Sequence, residues 1–330
     1  MGELDELDAE IKSLRANVDQ LRERLCTQFF GQEDTVERLI LALLSGGHVL
    51  LEGAPGLGKT TLVHALSGGV DLKFQRLQCT PDLMPTDVLG GRILHTDAEG
   101  RSKGMTLEKG PIFTNVLLAD EINRATPRTQ SALLEAMQER QVTLHDTTHK
   151  LDPPFMVVAT QNPIEMEGTY PLPEAQLDRF LFKLELSLPD FADIVRILEE
   201  TTGNASQVTG PCLSKEALLR LQHHVREVSA PSTVSEYVAR LILCTHPTHE
   251  SAPEIVQRMV RHGAGLRGGQ SIILAAKARA LLRGAENASV DDAASVASVA
   301  LRHRLIPSFE GEASGFDADE VLAAALEAAR

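Results

Sequence analysis

An apolar run, His48 to Leu51, leads directly into Gly53-Ala54-Pro55-Gly56-Leu57-Gly58-Lys59-Thr60, with Thr61 following. No other feature of the chain narrows its possible folds as far. The spacing is GxxxxGK[ST], which has a mechanical meaning only where a strand turns through glycines into a helix. The glycines let the backbone curl so that successive amides point inward at phosphate oxygens, and the helix opening near Thr60 adds the positive end of its dipole. In that setting Lys59 reaches the β and γ phosphates and the Thr60 hydroxyl binds magnesium. A glycine-rich turn can also arise for purely structural reasons, but such a turn needs neither the Lys nor the Thr. The sequence therefore predicts a cradle for ATP with Mg2+ over residues 53–61.

A second apolar run, Val116 to Ala119, ends in two consecutive carboxylates, Asp120 and Glu121. In P-loop folds a magnesium-associated Asp belongs at this kind of strand end, so Asp120 takes that role. Consecutive side chains diverge there, which lets Glu121 face the γ-phosphate and orient or deprotonate a water. Hydrolysis is the chemistry this pair predicts. A P-loop kinase passing phosphate to a small molecule has no need of such a Glu, and a solvated strand-end carboxylate is the plain alternative. The run Phe155 to Thr160 likewise ends in amides, Gln161 and Asn162, and Asn162 is placed to hold the water or the γ-phosphate. In Gln176-Leu177-Asp178-Arg179-Phe180, Arg179 precedes a fifth apolar run, where an arginine can project from one subunit toward the next subunit's nucleotide. Arginine supplied in trans stabilises the charge developing in phosphoryl transfer. The competing reading is a surface pair between Asp178 and Arg179.

Around these motifs the chain divides into three. Residues 1–29 repeat apolar side chains at Leu4, Leu7, Ile11, Leu14, Val18, Leu21 and Leu25, the stripe of an amphipathic helix that either self-associates or lies on the neighbouring domain. Residues 30–188 alternate short apolar runs with helical segments, the pattern of a parallel five-stranded sheet covered by helices in an α/β fold. Expected strands are His48 to Leu51, Phe74 to Gln78, Val116 to Ala119, Phe155 to Thr160 and Phe180 to Leu186. One helix is expected over Thr60 to Leu66, and Thr126 with Pro127 should open another over Pro127 to Glu139. Two stretches fall outside that unit and read as inserted hairpins, Arg92 to Leu107 around the turn 97–104 and Gln141 to Leu151 around 146–148. Residues 189–330 lose the strand-like runs and predict an all-helical domain, with capping boxes at Ser289 with Asp292 and at Asp317 with Glu320.

The composition bears on partners. A net charge of −14 works against general attraction to nucleic acid or anionic lipid, since phosphate binding needs clustered basic residues. Four scattered cysteines, Cys26, Cys79, Cys212 and Cys244, form no CxxC pair, and no run approaches the ~20 apolar residues of a membrane-spanning helix. The first residues are acidic, unlike a targeting peptide, so a cytoplasmic location is expected. Cys244, His246 and His249 resemble a metal set, but Pro247 interrupts them and no fourth ligand stands at a zinc spacing. His223 and His224 are adjacent on a helix, so their side chains are expected to point about 100° apart and not to share one site.

The motifs together resemble the MoxR family of AAA+ ATPases. The matching pieces are Gly31-Gln32, Gly46 to Thr60, Thr80-Pro-Asp-Leu-Met-Pro-Thr-Asp87, Gly110-Pro-Ile-Phe113 and Leu118-Ala-Asp-Glu-Ile-Asn-Arg124. They continue through Gln130 to Gln138, Ala159 to Glu165 and Gly168-Thr-Tyr-Pro-Leu-Pro-Glu-Ala-Gln-Leu-Asp-Arg-Phe180. The resemblance implies that Asn162 is a sensor 1 residue, that Arg179 is an arginine finger, and that Gly31 and Gln32 lie near the adenine. It places Arg267 as sensor 2 within Gly263-Ala-Gly-Leu-Arg-Gly268, where Gly265, Leu266 and Gly268 depart from the family's usual residues. It further implies a homo-oligomeric ring, expected as a hexamer, and chaperone-like work on a protein client, often a von Willebrand factor A protein. The same two inserts occur in AAA+ helicases, which leaves a DNA-dependent motor as the alternative. The hairpin tips weigh against it, with Asp97, Glu99, Arg101 and Lys103 in one and Asp146, His149 and Lys150 in the other.

Overall fold

The computed structural model describes residues 2–96, 102–163, 168–201 and 210–330. The chain opens with α1 (Gly2–Cys26) and α2 (Glu33–Ser45), then runs β1 (Val49–Gly53), α3 (Lys59–Gly69), β2 (Phe74–Gln78) and α4 (Pro85–Leu89). The hairpin β3 (Gly90–Thr96) and β4 (Ser102–Lys109) follows, then β5 (Val116–Asp120), a 3-10 turn at Ile122–Arg124 and α5 (Pro127–Glu139). A second hairpin, β6 (Gln141–Leu144) and β7 (Thr147–Lys150), precedes β8 (Met156–Gln161), α6 (Glu174–Leu177) and β9 (Phe182–Leu186). Five strands form one parallel sheet in the order β2-β5-β8-β1-β9. All five were expected from the sequence, displaced by up to two residues at their ends. Both hairpins are antiparallel and stand outside the sheet. The expected tip residues Asp97, Glu99 and Arg101, and Glu165 of the family match, lie outside the described residues, as does the side chain of Lys103.

The register decides which loops meet. Val49 stands beside Val158 and Phe182, and Val116 beside Met156 and Phe74, so every strand starts on one edge and ends on the other. Alternation then sends side chains to two cores. Val49, Leu51, Leu118 and Val158 join α1, α2 and α3 on one face, while Leu50, Leu117, Ala119 and Val157 join α5 on the other.

Helices take over after β9: α7 (Phe191–Thr201), α8 (Lys215–Glu227), α9 (Ser232–Cys244), α10 (Glu254–Met259), α11 (Leu266–Arg283), α12 (Val290–Leu301), α13 (Phe309–Ser314) and α14 (Ala318–Ala328). One short antiparallel pair, β10 (Val260–His262) with β11 (Ile306–Pro307), lies among them. It is too short to have shown a period in the sequence. The reciprocal capping box at Ser289 and Asp292 is present, and Thr126 caps α5 with Pro127 at its first turn. Asp317 caps α14 through the amides of Asp319 and Glu320.

The N-terminal stripe belongs to a single helix laid on its own molecule. Leu14, Val18, Leu21 and Leu25 are all under 5% exposed and enter the same core as α2, α3 and α8, so these four are covered within the molecule and not by self-association. Arg15 Nε donates to the Leu282 carbonyl at 3.0 Å and Arg220 pairs with Glu10 at 3.0 Å, which ties α1 to the C-terminal helices as well.

Candidate nucleotide site

The ends of β1, β5 and β8 bring the loop 53–58, Lys59, Thr60, Asp120, Glu121 and Asn162 to one edge of the sheet. Gly56 and Gly58 have φ of 87° and 77°, a region open to glycine and strained for other residues, which is how the loop 53–58 curls before α3. Lys59, at the start of α3, donates through Nζ to the Gly53 carbonyl at 2.5 Å, closing the loop on itself. Burial pulls the Lys59 ammonium below its ordinary pKa, opposed by the charges of Asp120, Glu121 and Glu52. Thr60 is half-buried and Thr61 exposed on the first turn.

Asp120 is buried, and both its oxygens are engaged. Arg76 of β2 donates to Oδ2 from Nη2 at 2.7 Å and from Nε at 3.1 Å, while Thr160 of β8 donates to Oδ1 at 2.6 Å. The Thr160 hydroxyl in turn accepts from the Glu121 amide at 2.8 Å, so one side chain aligns both acidic residues. Glu121 has φ 56° and ψ 52°, a left-handed conformation that costs a non-glycine residue roughly 1–3 kcal/mol. That turn takes its carboxylate out of the strand's alternation, where Gln78 Nε2 (3.2 Å) and Arg124 Nη1 (3.0 Å) both donate to Oε2. Asn162 is buried just past the end of β8.

Gly31 and Gln32 enter from the side. Phe29 packs on Gly58, and Gly31 (φ 69°) lies so close to α7 that an added Cβ would meet Asp193 Oδ2 at 2.5 Å. Gln32 is buried and donates to the Ser187 carbonyl at 2.9 Å, fastening the start of α2 to the segment after β9.

Two families match this chain: the ATPase family associated with various cellular activities (AAA), over residues 48–182, and the AAA lid domain, over residues 252–324. Chaperone MoxR1 of Mycobacterium tuberculosis is 40% identical over 324 residues, covering 97% of this chain and 83% of its own. Protein MoxR of Methylorubrum extorquens is 30% identical over 314 residues, 90% of each chain. The chain belongs to the MoxR family of AAA+ ATPases. A solved structure from Cytophaga hutchinsonii matches the fold with TM-score 0.91 at 36% identity, covering 99% of this chain and 98% of its own. The protein is accordingly a nucleotide-binding, ATP-hydrolysing enzyme, with the C-terminal helices as its lid.

In this MoxR-family ATPase, Arg179 and Arg267 lie away from the P-loop. Arg179 stands three residues before β9, on the edge where strands start, whereas the P-loop follows the end of β1. A five-residue strand separates the two edges, a span of about 17 Å. Arg267, in the first turn of α11, points its Nη1 at Asp178 Oδ2 (3.4 Å), beside Arg179. Both arginines line one cavity of about 280 Å3, together with Arg140, Arg226 and Arg304. The expected alternative for Arg179, a surface pair with Asp178, is not formed: Asp178 pairs with Arg304 at 2.8 Å, and among the described residues no carboxylate lies within ion-pairing distance of Arg179.

Arg76, Thr160 and Gln78 were not singled out from the sequence, since only strand order brings them to Asp120 and Glu121. The metal-like set is not assembled. Cys244 is buried with its thiol pushed up by burial, His246 donates to the Ala264 carbonyl at 3.1 Å, and His249 turns to Ser251. The expectation for His223 and His224 needs correction, because Glu227 one turn on reaches both rings, at 3.4 and 3.2 Å, and gathers the three groups on an exposed helix face. No helix among the described residues is long and apolar enough to cross a membrane.

Proposed function

We propose that this ATPase works as a homo-oligomeric ring in which each ATP is bound by one copy and completed by the next, and that turnover remodels or activates a folded protein client. The observation that carries the reading is the placement of Arg179 and Arg267 on the edge opposite the P-loop of their own chain. A guanidinium reaches at most several ångströms beyond its backbone, so these two residues serve a neighbour's nucleotide in a closed head-to-tail ring, taken as a hexamer. Residues 30–188 form the motor, residues 189–330 the lid, and residues 1–29 a brace against both.

Within one copy, the amides of 53–58 and the Lys59 ammonium hold the phosphates, with Gly31 and Gln32 beside the base. Thr60 and Asp120 offer hard oxygen donors at adjacent loop ends and fit Mg2+, which when bound neutralises phosphate charge. Thr160 and Arg76 hold Asp120 in position. Glu121 orients the attacking water and accepts its proton, and Asn162 steadies water or γ-phosphate from the next strand. Arg179 and Arg267 of the adjacent copy stabilise the charge that develops in transfer.

The client is inferred from chemistry and from the relative named as a chaperone. A net charge of −14 and the mixed residues near the β6–β7 tip, Asp146, His149 and Lys150, suit a protein surface better than phosphates. A von Willebrand factor A protein is the partner type we favour. Mixing Arg179→Ala with Lys59→Ala subunits tests the ring, since some interfaces then pair an intact arginine with an intact P-loop. Activity should return in the mixture, and a mixture as inactive as its components under subunit exchange would refute action in trans. Hydrolysis should also ignore single- and double-stranded DNA at low salt and respond to a folded partner. Several-fold stimulation by DNA that fades with salt would favour the motor alternative.

A further inference from the structure

Among the described residues, apolar side chains lie open on a lid groove and on the outer side of α7. The groove, of about 710 Å3, lies between α9 and α11 and is walled by Val238, Ile242, Leu243, Leu266, Ile273 and Leu274. Leu266 is 81% exposed and Leu243 42%, and the basic residues Arg226 and Lys277 stand on the rim. The α7 surface takes in the turn before the helix as well. Leu188, Phe191 and Val195 follow one another at steps of three and four with exposures of 71%, 83% and 37%. The same segment carries Asp190 and Glu199, while Asp193 turns to Gly31 and Glu200 pairs at 3.2 Å with Arg196, which is laid over the ring of Phe30 at 3.8 Å.

The positions of these surfaces relative to the site say what covers them. The α7 stripe is on the nucleotide side, since Asp193 and Pro189 pack against Gly31. The groove is on the arginine side, and it is continuous with the cavity holding Arg179 and Arg267 because Arg226, Gln270 and Leu274 line both. A head-to-tail ring brings those two sides together, one from each copy.

We propose that the apolar stripe of α7 from one copy seats in the α9–α11 groove of the next, as the hydrophobic part of the contact between subunits. This rests on the ring reading above. Apolar meets apolar, and Asp190 and Glu199, the acidic groups of this segment not held by Gly31 or Arg196, complement the basic rim of the groove, so charge helps set the polarity of the contact. The fit selects a second copy over a basic client segment, which the rim would repel. It also couples nucleotide to lid, because α7 touches the loop at Gly31 while the groove is built on the helix that carries Arg267.

The test uses the full chain with ATP and the double variant Phe191→Cys/Leu266→Cys, both positions over 80% exposed and outside the core. A disulfide requires Cα atoms within about 7 Å, so mild oxidation should give a covalent ladder several-fold stronger than in either single variant or in the parent chain. A second variant, Leu243→Asp, should shift the assembly to smaller species at equal concentration while leaving nucleotide affinity unchanged. A double variant with no extra ladder, or an unaltered assembly in Leu243→Asp, overturns the pairing. If Arg179→Ala and Lys59→Ala still complement one another in that case, the ring stands and only this contact is wrong; if they do not, the ring reading falls with it.

Discussion

The Arg304 guanidinium donates to Asp178 Oδ1 at 2.8 Å, and its Nη2 donates to the main-chain carbonyls of Asp178 and Phe180 at 3.0 and 2.8 Å. A buried lid residue thus grips the chain on both sides of Arg179. Burial lowers the Arg304 pKa and the Asp178 charge raises it again, as expected for a cation kept in the interior by its partner. The segment that carries Arg179 is held from the lid as well as by the strand that follows it.

Arg304→Ala should therefore cost roughly 3–5 kcal/mol, the usual penalty for breaking a buried pair from one side. Arg304→Lys should recover only part, because an ammonium cannot reproduce a fork that meets a carboxylate and two carbonyls together. Urea midpoints measure the first effect. Hydrolysis should fall more than nucleotide affinity in both variants, and equal losses would mean that the grip on Arg179 has no bearing on turnover.

Glu121→Gln should keep nucleotide binding and lower turnover by roughly 10² to 10⁴, the usual contribution of a positioned base. Lys59→Ala should instead weaken binding itself. Labelled-nucleotide affinity beside steady-state phosphate release separates the two, and near-normal turnover in Glu121→Gln would remove that residue from the reaction.

Stability should decline as pH falls from 6.5 toward 4. The His48 ring is buried, accepting from the Val157 amide at 2.9 Å and donating to the Met137 carbonyl at 3.1 Å, and burial holds its pKa down to about 4 from an ordinary 6.5. His303, buried against the Phe180 carbonyl, is pushed down as well. Between the two values the unfolded chain binds protons that the folded chain refuses, so the stabilisation is whole above 6.5 and is lost on the way down, ~3 kcal/mol for His48 alone. Urea midpoints at pH 7, 6 and 5 give the slope. His48→Gln should flatten it, and a midpoint independent of pH over that range would contradict the assignment.

Leu21→Ala should cost about 2–5 kcal/mol, since the side chain is 1% exposed and enters the core shared by α2 and α3. A change below 1 kcal/mol by thermal unfolding, the size of an exposed substitution, would mean that α1 is not held where it lies.

Features carried by local chemistry were legible in the sequence. The strand–glycine–Lys–Thr run, the acidic end of β5 and the Thr126–Pro127 helix start each depend on residues within one turn of each other. Features that depend on strand order were not. Arg76 and Thr160 meet Asp120 only because β5 lies between β2 and β8, and Asp178 finds Arg304 from 126 residues away. The strand ends drifted for a related reason. His48 is apolar in its packing but hydrogen-bonded through its ring, so the sequence pattern included it while the ladder begins at Val49.

Because the loop 53–58 follows one end of β1 and Arg179 precedes the other end of its neighbour β9, the central sheet would also act as a ruler for the ring proposed above. In the proposed ring, its strand length would fix how far apart consecutive nucleotides stand. Two residues added to both β1 and β9 would carry the arginine edge about 7 Å further from its own P-loop. If the ring forms as proposed, strand length in this part of the chain is a quantity that selection on the whole assembly can read, independent of any single side chain.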